Sequence, residues 1–148
     1  MALTATEVRL QPWTGLTGPG SASPGHVFVS HSRWDRADAS RLVAWLGSVG
    51  VRTWISGLER HCPVWPDSIF PNIASCSALV VLMSPRSEVA DGVNQEVRYA
   101  EALGKPVIPV ALDGWCYLRR ADWPVENMPG NALPSADFLR RVRAHAWQ

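Results

Sequence analysis

Two unbroken apolar runs, Ala78-Leu79-Val80-Val81-Leu82-Met83 and Val107-Ile108-Pro109-Val110-Ala111-Leu112, constrain this chain more than any other feature. Each has the length of a strand and is apolar on both of its alternating faces. Such strands need cover on both sides, which points to a parallel sheet between two helical layers. Between the runs, Val89, Val93, Val97, Ala100 and Leu103 recur at helical spacing and form one stripe. Glu96 lies ~55° from the centre of that stripe, at the border of the apolar face, where a side chain is partly desolvated. Open α/β sheets bind ligands near the ends of such crossover units. Glu96 is therefore the first residue to question about function.

The rest of the chain supplies the other elements of the same architecture. His26-Val27-Phe28-Val29-Ser30 is a short apolar strand, and Asp35 stands where a helix N-cap is expected. Leu42, Trp45, Leu46 and Val49 then follow at helical spacing, and Gly50 stops that helix. Val51 to Ile55 is a second strand, and residues 56–64 are a polar loop. Pro66 opens a helix with Ile69 and Ile73 on one face, which Pro71 should distort or shorten. Gly104 ends the crossover helix. Trp123-Pro124-Val125 is a candidate edge strand, and Ser135 to Trp147 a last helix with Phe138, Leu139 and Val142 inward. This order predicts a flavodoxin-like, doubly wound parallel sheet of four to five strands with helices on both faces. Residues 11–25, rich in Gly, Pro, Ser and Thr, make 1–25 a flexible lead-in to a domain over 26–148.

Composition narrows the function classes. The chain has 148 residues, enough for one domain, and a net charge of +1 gives no electrostatic case for nucleic acid or a membrane surface. Cys62, Cys76 and Cys116 are scattered, with no metal spacing and no disulfide framework, which suits a reducing cytosol. His26, His31, His61 and His145 form no zinc-type pair. No apolar run approaches ~18 residues, and the N-terminus lacks the features of a secretion signal. Met1 is read as a natural start. The expected location is cytoplasmic, without a metal or bound cofactor.

Several familiar sites are excluded. Ser30-His31-Ser32-Arg33-Trp34 has no glycine, so no phosphate-binding loop follows the first strand. No Gly-x-Ser-x-Gly elbow occurs. A phospho-receiver domain would need acidic residues at the ends of the first and third strands, where this chain has Ser30 and Ser84.

The segments Val27-Phe28-Val29-Ser30-His31-Ser32-x-x-Asp35, Val51-Arg52-Thr53-Trp54-Ile55 and Trp65-Pro66-Asp67-Ser68-Ile69 together resemble the signatures of Toll/interleukin receptor (TIR) domains of bacterial type. Ser77-Ala78-Leu79-Val80-Val81-Leu82-Met83-Ser84-Pro85 is similar to the family's third strand, and Glu96 to Val110 completes the likeness over about residues 26 to 112. Many TIR domains cleave NAD between nicotinamide and ribose. The resemblance implies that Glu96 is the catalytic carboxylate and that His31, Ser32, Arg33, Trp65 and Ser84 bind the substrate. By the same resemblance Arg33 could face the pyrophosphate and Trp65 could stack on a base. NAD would be substrate rather than cofactor. Further implied partners are other TIR domains by self-association and a sensor acting in trans, in antiphage or effector signalling. Taken singly, these residues have ordinary readings: a solvated flank for Glu96, local hydrogen bonding for His31, a surface charge for Arg33, core anchors for Trp54 and Trp65.

The chain also departs from the enzymatic pattern. Gly92 stands where a tryptophan is common four residues before the glutamate, and Ser56 where an acidic residue follows the second strand. Cys62 or Pro63 occupies the place of a loop glycine before Trp65. These departures favour the alternative expectation, a non-catalytic TIR scaffold that binds other TIR domains.

Overall fold

The computed structural model describes residues 25–55, 69–118 and 124–146. Among these, five strands form one sheet: β1 (Val27–Ser30), β2 (Thr53–Ile55), β3 (Ala78–Met83), β4 (Val107–Leu112) and β5 (Glu126–Met128). Their order is β2-β1-β3-β4-β5, and every neighbouring pair is parallel. That is the flavodoxin-like, doubly wound order. The helices are α1 (Arg36–Ser48), α2 (Ile69–Ala74), α3 (Pro85–Glu88), α4 (Asp91–Ala102) and α5 (Ala136–Ala146).

The two-residue period of a strand divides the core into two layers. Val27, Val29, Val80, Leu82, Ile108 and Val110 meet Ala39, Leu42 and Leu46 of α1 and Phe138 and Val142 of α5. Phe28, Leu79, Val81 and Val107 point the other way, onto Ile69 and Ile73 of α2 and Val93, Val97 and Ala100 of α4. Leu82 and Ile108 are fully buried, each contributing about 1.5–3 kcal/mol through removal from water. Trp54 is a core anchor, stacked on Phe28 with ring centroids 5.2 Å apart.

Helices α1 and α4 end alike. Gly50 and Gly104 adopt φ of +88° and +75°, and the next amides, of Val51 and Lys105, return to the carbonyls of Leu46 and Ala100 at 2.9 Å each. This closes the last turn of both helices with their orphan carbonyls satisfied. Pro109 lies inside β4 without an amide hydrogen to give, but β5 begins its pairing only at Val110, opposite Glu126.

Several expected boundaries shift. β1 begins at Val27, one residue later than expected, and the ring of His26, just before it, lies 2.9 Å from the Asn72 carbonyl. β2 is confined to Thr53–Ile55. Among the described residues α2 runs over Ile69–Ala74 and contains Pro71. Of the apolar stripe expected from Val89 to Leu103, only Val93, Val97 and Ala100 lie within a helix, α4. Ser84 caps α3 by accepting from the Ser87 amide, with Pro85 in its first turn, and α4 starts afresh at Asp91. Val89, left between them, is 77% exposed. The edge strand is Glu126–Met128, three residues beyond its expected place. Residues 1–24 of the lead-in, the loop departures Ser56, Cys62 and Pro63, and Pro66, Trp123 and Trp147 lie outside the described residues.

Candidate functional site

The strand order reverses between β1 and β3, so the carboxyl ends of these two strands flank the place where open α/β sheets bind ligands. Ser30 is the last residue of β1. It shares the alternating face of Phe28 and so looks toward α4. On α4 the buried residues are Val93, Glu96, Val97 and Ala100, a continuous helical stripe with a carboxylate in it. Glu96 is 2% exposed, fully inside rather than partly desolvated at the border. The Ser30 hydroxyl donates to Glu96 Oε1 at 2.5 Å across 66 residues of sequence. A carboxylate in an apolar layer is costly unless hydrogen-bonded, and Ser30 supplies a donor.

A second buried carboxylate stands at the same end of the sheet. Asp35 closes a 3-10 turn at Arg33–Asp35 and occupies the N-cap position of α1, but its side chain makes no capping bond. Its Oδ2 instead accepts from the Ser32 hydroxyl at 2.9 Å and the Ser84 hydroxyl at 2.5 Å. Its Oδ1 faces the Arg86 guanidinium at 3.5 Å. Asp35 therefore ties the loop after β1 to Ser84, the residue that follows β3 and caps α3. The tie continues outward: Ser84 and Ser87 cap α3 reciprocally, and Ser87 Oγ lies 2.7 Å from the Tyr117 hydroxyl. Burial raises the pKa of Tyr117 above the ordinary phenol value.

A family model described as TIR domain matches residues 27–146. The chain belongs to the TIR domain family. Among solved structures, the TIR domains of the activated Roq1 resistosome directly recognizing the pathogen effector XopQ superpose with a TM-score of 0.50 at 20% identity. The match covers 60% of this chain and 57% of that one, so the TIR domain spans just over half the length of the relative. At this identity the likeness shows the fold alone. No curated protein matches the chain.

Within the TIR domain, the structure brings Glu96, His31, Ser32 and Ser84 to one end of the sheet, through Ser30 and Asp35. Arg33 is exposed and lies over the ring of Trp34, 5.3 Å from its centroid, and Trp34 is itself 68% exposed. Trp65 lies outside the described residues. His31 is buried, and neither ring nitrogen has a hydrogen-bond partner among the described residues. Burial, reinforced by the Arg36 charge, lowers its pKa from 6.5 to about 4, against the opposing pull of Asp35 and the Val29 carbonyl. The ring is therefore neutral at physiological pH. Among the described residues no group of three His, Cys, Asp or Glu is placed to hold a metal ion. No helix among them is long and apolar enough to cross a membrane.

Three participants escaped the sequence reading of the site: Ser30 as the partner of Glu96, Asp35 as the centre of a tertiary tie, and Arg86 beside it. Ser30 was within reach, because the two-residue period already set it on the α4 face. Asp35 was masked by its own position, since an aspartate ahead of a helix has a sufficient local explanation. Nothing in the order of residues marked Arg86.

Proposed function

We propose that this TIR domain cleaves NAD+ at the bond between nicotinamide and ribose, with Glu96 as the catalytic carboxylate. The observation that supports it is the buried Glu96–Ser30 pair at the reversal of strand order, within a domain of a family that includes such enzymes. The chemistry needs little more than a well-placed negative charge. Nicotinamide is cationic in NAD+ and leaves neutral, taking the electron pair of the broken bond. No acid has to protonate it, unlike the leaving group of ordinary glycosides. The ribose then carries an oxocarbenium-like charge, which a carboxylate held in a low-dielectric site stabilises. Water captures the cation and loses a proton, or an internal nucleophile closes a cyclic product. The neutral His31 ring offers polar atoms to the substrate; Ser32 and Ser84, whose hydroxyl hydrogens go to Asp35, are proposed to line the site with Arg33 and Trp65.

The solved relative is an activated resistosome, and on that likeness we place this domain in immune signalling, switched on by self-association. An antiphage or effector role in the cytoplasm, with a sensor partner in trans, belongs to the same proposal.

A second reading, a non-catalytic scaffold that binds other TIR domains, has its own support. Glu96 is enclosed and already engaged by Ser30, and Gly92 sits one turn before it where enzymes commonly place tryptophan. One assay separates the two. Nicotinamide release from NAD+ by the purified chain at high concentration should fall by about a thousandfold in Glu96→Gln. Equal release by the two proteins overturns the enzymatic reading.

A further inference from the structure

Residues 30–32 are held at both ends and left open in the middle. Ser30 is tied through its hydroxyl to Glu96 on α4, and Ser32 through its hydroxyl to Asp35. Between them His31 is 6% exposed, with both ring nitrogens lacking a partner among the described residues. A buried imidazole short of well-formed hydrogen bonds is unfavourable, and a free loop would turn it toward water. The backbone on either side must therefore be restrained. The outer restraint comes from Asp35, whose side chain forgoes the capping of α1 that its position offers. Its Oδ2 accepts from Ser32 and from Ser84, so one atom joins the loop after β1 to the end of β3. Arg86, half out in solvent, faces the other oxygen and balances part of the charge.

We propose that Asp35 is a positioning residue, which clamps residues 30–32 against the end of β3 and holds the His31 ring at the site. Its consequence for catalysis rests on the proposed NAD+ cleavage. The clamp itself does not, so the two are tested by separate readouts.

The first readout is the titration of His31, followed by the ring carbon resonances in the full chain with labelled histidines and assigned with a His31→Gln spectrum. The charged groups that act on the ring are Arg36 of α1, which lowers its pKa, and Asp35 of the preceding turn, which raises it. The two roles open to Asp35 therefore predict opposite signs. If Asp35 is only a nearby charge, Asp35→Ala drives the midpoint below the wild-type value of about 4. If Asp35 is the clamp, its loss frees the loop, exposes the ring and moves the midpoint up toward 6.5, by at least about one pH unit. Asp35→Asn keeps a carbonyl oxygen for both serines and removes the charge, so its midpoint stays at or below wild type. A midpoint in folded Asp35→Ala that is unchanged or lower overturns the proposal. Where Asp35→Ala does not fold, Ser32→Ala cuts only the local tie and must raise the midpoint in the same direction. An unmoved midpoint there is equally fatal.

The second readout is catalytic. If the wild-type chain releases nicotinamide, Asp35→Ala lowers kcat by up to about 100-fold with a smaller change in KM, and Asp35→Asn restores most of it. A chain that releases none sinks the enzymatic reading and leaves the His31 titration to judge the clamp alone.

Discussion

The two faces of the sheet are built from the same strands and differ at one end. On the face under α1 and α5 the three central strands are apolar throughout, from Val27 and Val29 through Val80 and Leu82 to Ile108 and Val110, and polar residues enter only on the outer strands, at Thr53 and Glu126. The face under α2 and α4 begins the same way, with Phe28, Leu79 and Val81, but finishes on β1 with Ser30 against the Glu96 carboxylate. A buried polar pair at an interior position contributes less to folding than the apolar residues it displaces. The first face is thus explained by stability. The second gives up stability at the carboxyl end of β1, which is where the fold places ligands.

The sharpest way to break this contrast is to measure both faces against denaturant. Leu82→Ala empties a fully buried site on the apolar face and should cost about 2–5 kcal/mol in the unfolding free energy. Glu96→Gln keeps the shape of its side chain and its bond to Ser30, and should stay within about 1 kcal/mol of wild type. A Glu96→Gln loss as large as that of Leu82→Ala would make the carboxylate a strut of the fold and favour the scaffold reading.

The next effect is pH-dependent and belongs to the polar end alone. His31 titrates near 6.5 when unfolded and about 4 when folded. Above pH 6.5 both states hold the ring neutral, so it takes nothing from stability. As the pH falls below 6.5 the unfolded chain binds the proton first and stability drops, until the folded ring protonates at about pH 4. The loss across that window should be about 3 kcal/mol. Urea midpoints at several pH values should show it in the wild type and lose that part of the slope in His31→Gln. An identical slope in the two proteins would remove His31 from the comparison.

The smallest effect lies on the solvent side of the apolar layer. Gly47 in the last turn of α1 is exposed, and an added Cβ meets nothing within 4 Å. Gly47→Ala should raise stability by about 0.5–1 kcal/mol without altering nicotinamide release, read from thermal unfolding beside the activity assay.

Much of the architecture was legible because it follows from local rules. The runs over 78–83 and 107–112 matched β3 and β4 residue for residue, since strands buried on both faces leave no polar residue to blur their ends. The glycines at 50 and 104 marked helix ends, because the left-handed conformation needed there is open to glycine at low cost. The division between α3 and α4 was not legible. Val89 continues the helical period in one dimension, and only the Ser84 cap on α3 and the fresh start at Asp91 show that it lies outside both helices. Within the site, Glu96 could be singled out from periodicity and family likeness, but its degree of burial could not. The ~55° offset from the stripe describes the helix, and says nothing of the strand end that covers it.

The amino-acid order alone thus settles a parallel, two-sided sheet, its central strands and a carboxylate on the crossover helix. These rest on hydrophobic period and backbone preference, which act over a few residues. The tertiary fold settles that Ser30 closes on Glu96, that Asp35 turns from capping α1 to binding Ser32 and Ser84, and that the His31 ring is enclosed without a hydrogen-bond partner among the described residues. The Ser30–Glu96 and Ser84–Asp35 contacts join residues 66 and 49 positions apart. Such pairings depend on which strands the sheet sets side by side, and local preference carries no record of that.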